Sequence, residues 1–394
     1  MSDFVSLNAW NHPHLIYQAA NAVETVSGGP GEWPLLRERL ERWRSERGIQ
    51  ADGPHPHGAA VGFFRYDGSF HFGFHPEFQV LPEGRNTPLW RERSAAWENI
   101  PVLGGTQWDC NLSAPAFEEI VRAAQEYIRS GDIYQVNLAR RFETPFSGSP
   151  YRLFEHLMER SPAPGAAFLD LGSTQILCAS PELFLKIDGR RIVTRPIKGT
   201  RPRDRDPVRD QQLAYELITH PKELAELVMI TDLMRNDLGR ISEYGSVLVE
   251  ELLQLEHFPQ VHHLVSTVEG TLRAGMDPVA AVVACFPGGS ISGAPKLRAM
   301  EIIAELEPDP RGLYTGAIGY FGFNGDAAFS MAIRTLLCEG GKLHFHTGSG
   351  ITADSDPALE CEETLHKARG LQLALASYLE SERKTARARN CSQA

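Results

Sequence analysis

The sequence predicts a mixed α+β fold, rich in antiparallel strands, with helices at its periphery. Two observations carry this. Alternating apolar segments come in pairs around tight turns, and segments of helical periodicity with good caps lie among them. With 394 residues, 42% of them hydrophobic and 23% charged, the chain can fill a large core. The net charge of −11 argues against a nucleic-acid groove, which needs a basic footprint. An acidic protein acting on an anion would need local arginines or a metal to reverse the sign. The six cysteines, at 110, 178, 285, 338, 361 and 391, have no metal-type or paired spacing. That pattern predicts reduced thiols and a cytoplasmic location. The residues from Met1 lack the basic and apolar regions of a signal peptide, and no apolar run approaches spanning length, so no membrane association is expected.

Residues 1–108 read as an N-terminal segment adding strands and a helix to the same unit. Leu36, Leu40 and Trp43 stand at helical spacing within 33–47. Residues 59–66 and 69–74 read as a hairpin around Asp67-Gly68. The histidines between His12 and His75 lack regular ligand spacing, which favours scattered loop positions over a metal site.

From Ser113 the pattern sharpens. Phe117, Ile120, Val121, Ala124, Tyr127 and Ile128 form a helical stripe that Gly131 ends. In a strand over 132–138, Tyr134, Val136 and Leu138 take one face, and Gln135 and Asn137 the other, which suits a pocket wall or a solvent face. Two hairpins follow, 167–179 and 183–194, with Glu182 as a strand-edge carboxylate between them. Pro196-Ile197-Lys198-Gly199-Thr200 then leaves the sheet. Lys198 reads either as a surface turn lysine or as an amine held in a site as a nucleophile.

Further on, 222–239 is helical, with Glu223 and Glu226 at i and i+3. Like charges there cost stability unless a cation sits between them. His262 and His263 lie in an apolar segment that reads as a strand, and Asp277-Pro278 starts a helix. The Gly-rich loop 287–296, which contains Ser290, enters a helix from Ala294 to Glu305. Its free N–H groups suit a carboxylate, and the spacing is not that of a P-loop. Residues 313–321, with Tyr314, and 327–335 read as paired strands. Arg334 inside the second would need a buried anion. Thr347-Gly348-Ser349-Gly350-Ile351 reads as a second close-approach glycine loop. Asp356-Pro357 opens the last helix, to about Glu382, with Glu360 and Glu363 again at i and i+3, and Lys367 four residues on. The polar, basic residues 381–394 are expected to be disordered.

Several of these blocks together resemble the chorismate-utilising enzymes: Pro196 to Thr200, Lys222 to Glu226, and Pro287 to Lys296. The resemblance runs from about Phe117 to about Leu379, in the form found in component I of aminodeoxychorismate synthase. Anthranilate synthase component I, the alternative, carries Ala in place of Lys198. What the resemblance implies is a chorismate-binding fold of two large packed, mainly antiparallel sheets with helices outside, with 109–380 as its catalytic domain. It also implies conversion of chorismate and ammonia to 4-amino-4-deoxychorismate, for 4-aminobenzoate and folate. Lys198, His263 and Glu182 match catalytic positions. Gln135, Ser290, Tyr314, Arg334, Gly348 and Gly350 match substrate contacts. Glu223, Glu226, Glu360 and Glu363 match magnesium ligands, although Leu227 departs from the pattern after the second Glu. Isochorismate and salicylate synthases carry a water-activating Lys where this chain has Gln135, whose neutral amide is no base. Asn137 and Lys198 disfavour anthranilate synthase. The sequence has no Gly-x-Cys-x-Gly elbow, so the implied partner is a separate glutamine amidotransferase subunit supplying ammonia. The Leu-Leu-Glu-Ser block of tryptophan-binding relatives is not found.

Overall fold

The computed structural model describes residues 3–10, 14–47, 55–82, 103–104, 107–258 and 260–392. Two antiparallel sheets dominate it. The first has 11 strands and runs from Gly293–Ala294 through Gln135–Ser147, Lys342–Ile351, Thr335–Glu339, Thr174–Ser180 and Gly165–Asp170 to Phe4–Asn8, Leu15–Ala20 and Gln79–Pro82. Leu103–Gly104 and Asp109–Cys110 pair with Gln135–Ser147 as additional strands. The second has 10 strands and runs from Ile197–Pro202 through Val261–Thr271, Arg191–Arg195, Leu183–Asp188, Ala327–Met331 and Ala317–Gly322 to Ala59–Phe64, Phe70–His75 and Glu24–Gly28. Leu248–His257 pairs alongside Val261–Thr271. Residues before 83 thus supply strands to both sheets.

Side-chain alternation explains how the layers stack. In Gly165–Asp170, Ala167 and Leu169 enter one apolar cluster and Ala166 and Phe168 another. Val61 and Phe63 join Leu169 in the first cluster, while Ala60 and Phe64 turn to a third. The cluster shared by the two sheets is their common interface. The outer clusters are covered by helices: Pro150–Arg160 and Pro357–Ser392 on the first sheet, and Trp33–Arg47, Pro221–Gly239 and Pro278–Cys285 on the second. The core strands are buried on both faces, so their sequences are nearly continuously apolar. Burying each leucine-sized side chain contributes about 2 kcal/mol.

The long C-terminal helix runs to Ser392, past the expected end at Glu382, so residues 381–392 are helical rather than disordered. The physical reason is local and tertiary: Glu380 pairs with Lys384 one turn on at 2.6 Å, Thr385 Oγ1 donates to the Ser381 carbonyl, and Arg152 pairs with Glu382.

Replacing Leu169 by Ala should open a cavity between the sheets and cost about 2–5 kcal/mol. Urea unfolding of the variant checks this, and an unchanged midpoint would mean that the sheet–sheet interface does not carry the fold.

Candidate active site

Lys198 does not leave the sheet. Ile197–Pro202 forms an edge strand, with Lys198 opposite Leu264 and a register shift before Thr200. Gly199, at φ +70°, makes the shift possible, and a side chain there would meet Leu217 at 2.7 Å and Glu223 at 3.1 Å. Lys198 is largely buried, with its Nζ 3.6 Å from Glu226 Oε2. Gln135 Nε2 donates to the same oxygen at 3.4 Å, and Gln135 Oε1 is buried without a hydrogen-bond partner.

The four glutamates gather at the starts of two helices, Pro221–Gly239 and Pro357–Ser392. Glu360 accepts from Lys222 at 2.7 Å, from Ser355 at 2.6 Å and from Ser349. Lys222 also lies 3.9 Å from Glu226. Burial raises the pKa of Glu226, with Lys198 and Lys222 opposing the rise. Glu363 pairs with Lys367 at 2.6 Å. Burial favours its neutral form, but Lys367 outweighs that and holds the carboxyl below the usual range. Lys367 also donates to the Gly348 carbonyl at 3.0 Å. Glu223 faces Arg201 at 3.5 Å.

Among the described residues, no three His, Cys, Asp or Glu side chains stand close enough to share a metal ion. The four expected ligands lie within electrostatic reach of Lys222 or of one another, and lysines hold three of them. The donor chemistry still fits a hard cation: every group is an oxygen ligand. Glu226, whose contacts are all at 3.4 Å or longer, retains the capacity for another.

Glu182 is buried, and its Oε1 accepts from Ser290 Oγ at 2.5 Å. Burial pushes its pKa up to about 7, against the pull of Ser290 and Lys198. His263 is buried with its Nδ1 3.0 Å from Thr200 Oγ1. Burial, with Arg334 adding to it, pushes its pKa down to about 4, so the ring is neutral at pH 7.

Three further positions differ from the sequence expectation. Arg334 lies in the bend between Ala327–Met331 and Thr335–Glu339, at φ +50°, rather than inside a strand. Burial lowers its pKa, and no carboxylate among the described residues offsets that. Tyr314 lies in the turn before Ala317–Gly322 and stacks on His346 at 5.2 Å. Tyr134 precedes the strand that begins at Gln135 and is 72% exposed, because the chain turns at Gly131 before entering the sheet.

Gly348 and Gly350 are strand residues of Lys342–Ile351, not loop residues. Their requirement is lateral space. A Cβ at Gly350 would stand 2.3 Å from Gln135 Nε2 and 3.3 Å from Lys198 Nζ, and one at Gly348 would stand 2.8 Å from Tyr314 Oη. The 287–296 loop is likewise committed to the interior. Gly293–Ala294 pairs with Val136 and Gln135, the helix begins only at Lys296, and Lys296 Nζ donates to Asp237 Oδ2 at 2.5 Å. Sequence reasoning missed Lys222, Ser349 and Ser355. Lys222 had a signal, standing four residues before Glu226 and one before Glu223; the serines had none.

The site thus brings together an amine, a carboxyl with a pKa of about 7, a neutral imidazole and a guanidinium that no carboxylate among the described residues pairs. The sequence signature described as chorismate binding enzyme matches residues 101–372. The chain belongs to this family. It is 48% identical over 277 residues to anthranilate synthase component 1 of Streptomyces coelicolor, covering 70% of this chain and 54% of the relative. It is 48% identical over 259 residues to aminodeoxychorismate synthase component 1 of Bacillus subtilis, covering 66% and 55%. The Escherichia coli aminodeoxychorismate synthase component 1 gives 47% over 262 residues, covering 66% and 58%. The chain therefore spans a little over half the length of these relatives. The crystal structure of anthranilate synthase component I from Streptococcus pneumoniae superposes with a TM-score of 0.72 at 28% identity, covering 94% of this chain and 90% of that one. The menaquinone-specific isochorismate synthase MenF of Escherichia coli gives 0.75 at 18% identity, covering 95% and 88%, which is a likeness of fold. Among the described residues of this chorismate binding enzyme, no helix is long and apolar enough to cross a membrane.

Glu182 makes a pH prediction. Below about pH 4.5, its ordinary value, the carboxyl is protonated in both folded and unfolded chains. Between there and about 7 only the unfolded chain ionises, so stability falls as pH rises. Glu182→Gln should abolish this loss, gaining on wild type by about 3 kcal/mol across the window. Urea titrations at pH 4.5 and 7.5 check it, and parallel profiles for the two proteins would show that Glu182 is ionised throughout.

Proposed function

We propose that this chain aminates chorismate at C4, as the aminating component of an aminodeoxychorismate synthase. The reaction would be chorismate plus ammonia to 4-amino-4-deoxychorismate, on the cytoplasmic route to 4-aminobenzoate and folate. The observation that carries the reading is Lys198: a largely buried amine 3.6 Å from Glu226, packed with Gln135 against Gly350, where no side chain would fit. Anthranilate synthase, with Ala at that position, needs no such amine to aminate at C2.

The proposed route has two displacements. Lys198 Nζ adds at C2, the two ring double bonds shift, and the C4 hydroxyl leaves as water. Glu182 supplies that water's proton and recovers one from the Lys198 nitrogen. Its pKa of about 7 suits both roles. Ammonia then adds at C4, the double bonds shift back, and the C2–Nζ bond breaks as a proton passes from ammonia to Lys198. Arg334 offers its guanidinium to a substrate carboxylate, and Tyr314 and Ser290 line the pocket. Glu223, Glu226, Glu360 and Glu363 would hold magnesium, which would offset the charge of a substrate carboxylate. His263, neutral, orients groups near Thr200. The relatives' designation as component 1 supports a second component, and a glutamine amidotransferase would supply the ammonia.

The second reading, anthranilate synthase component I, is favoured by the Streptomyces coelicolor relative at 48% identity. Product analysis from chorismate, magnesium and ammonium salt separates the two, since anthranilate from the wild-type chain would overturn the first reading. Lys198→Ala should lose C4 amination on the order of 100-fold or more. Without ammonia, the wild-type chain should carry a chorismate-derived adduct on the Lys198 peptide by mass spectrometry. Undiminished 4-amino-4-deoxychorismate from the variant would leave Lys198 only a binding role.

A second expectation concerns nitrogen and metal. The purified chain should be inactive with glutamine and active with ammonia at high pH. Glu226→Gln should abolish the ammonia-dependent rate with its folded circular dichroism intact. Full activity of that variant in excess chelator would refute the magnesium role.

A further inference from the structure

The strand Gln135–Ser147 carries Gln135 to Glu226 and Asn137 to Gly348, and its edge away from Lys342–Ile351 is covered piecemeal. Gly293–Ala294 pairs with Val136 and Gln135, and Asn137 N–H donates to the Ser292 carbonyl at 2.9 Å. Farther on, Asn111 exchanges hydrogen bonds with the Arg141 backbone, and Asp109–Cys110 pairs with the strand. Between these covers, the Asn137 carbonyl and the Ala139 N–H face no strand among the described residues. They are taken by one ion pair: Arg311 Nη2 donates to Asn137 O at 2.6 Å, and Glu307 Oε1 accepts from Ala139 N at 2.8 Å.

The pair is itself closed. Arg311 Nε and Nη2 reach the two Glu307 oxygens at 2.9 and 2.6 Å, with side chains only 1% and 5% exposed. The remaining guanidinium nitrogen, Nη1, donates to the Ile291 carbonyl at 3.1 Å and to Thr315 Oγ1 at 3.2 Å. The guanidinium carbon also lies 5.6 Å from the Tyr314 ring centroid. One planar cation thus touches the pocket strand at Asn137, the turn that holds Ser290, and the turn that holds Tyr314. A lysine could not reach these acceptors together, because its charge is a single point without a fork.

We propose that Arg311, through its pair with Glu307, is a positioning residue for the active site. The ion pair stands in for a missing length of strand, and in doing so it sets Asn137, the Ser290 turn and Tyr314 relative to one another. The consequence for chorismate rests on the function proposed above; the consequence for the strand edge does not.

The test uses the full chain with Arg311→Lys and Glu307→Asp, which keep the charges and break the geometry. Hydrogen exchange of peptides spanning 134–141 should quicken roughly tenfold in both variants while 165–170 is unchanged, as for the loss of a charge-assisted hydrogen bond. The KM for chorismate should rise roughly tenfold, with kcat changed less. A fall in melting temperature with unchanged KM, or exchange quickened equally at 165–170, would overturn the proposal. Should Arg311→Lys fail to fold, Glu307→Asp carries the same readouts. A wild-type chain that neither binds nor converts chorismate would refute the function instead, and exchange at 134–141 would still decide the positioning role.

Discussion

The Lys222–Glu360 contact is the interaction on which the site depends. It joins the helix that begins at Pro221, packed on one sheet, to the helix that begins at Pro357, packed on the other. The Glu360 side chain is only 3% exposed, so a lone charge there would carry a large desolvation cost. Lys222, Ser349 and Ser355 together satisfy both carboxylate oxygens. From Lys222 the charges alternate onward through Glu226 to Lys198. The Lys198 amine is therefore the last member of a chain that also ties the two layers together, and a change at one end alters the field at the other.

Two burial effects of opposite sign tune the groups around that amine. Burial raises the Glu182 carboxyl towards neutral pH and lowers the His263 imidazole well beneath it. At pH 7 the site then holds a carboxyl able to give or take a proton, a ring that carries no charge, and the buried Arg334 guanidinium. The substrate proposed above, an anion with a leaving hydroxyl, would fit such a distribution, although the overall charge of −11 would repel it at a distance. The attraction is a local property, made by lysines and arginines converging from separate segments.

Glycine makes room for the side chains of the candidate site. Gly348 and Gly350 sit in a regular strand, where glycine normally weakens pairing. Their absent side chains leave the room that Tyr314, Gln135 and Lys198 occupy. Arg311 and Glu307 act on the neighbouring strand from the opposite edge, so the wall bearing Gln135 and Asn137 is confined from both sides.

The sequence by itself determined the elements that rest on local periodicity. The helix over 222–239, the hairpin around Asp67-Gly68 and the glutamate pairs at i and i+3 are legible because helix and strand repeats place those residues on one face. The family, too, was legible from contiguous motifs. Other features were settled only by contacts between distant segments. Lys198 belongs to a strand because Val261–Thr271 offers it an edge and Gly199 absorbs the register shift. Gly348 and Gly350 extend a strand because Gln135–Ser147 runs beside them. Arg334 falls at a bend, since the first sheet takes up the chain at Thr335. The pairs of Lys222 with Glu226, Lys367 with Glu363 and Arg311 with Glu307 stand at helical spacing. The reach of Lys222 to Glu360 and of Arg311 to the Asn137 carbonyl, however, joins residues more than a hundred positions apart, which no local pattern shows, and it is burial that makes a missing partner there costly.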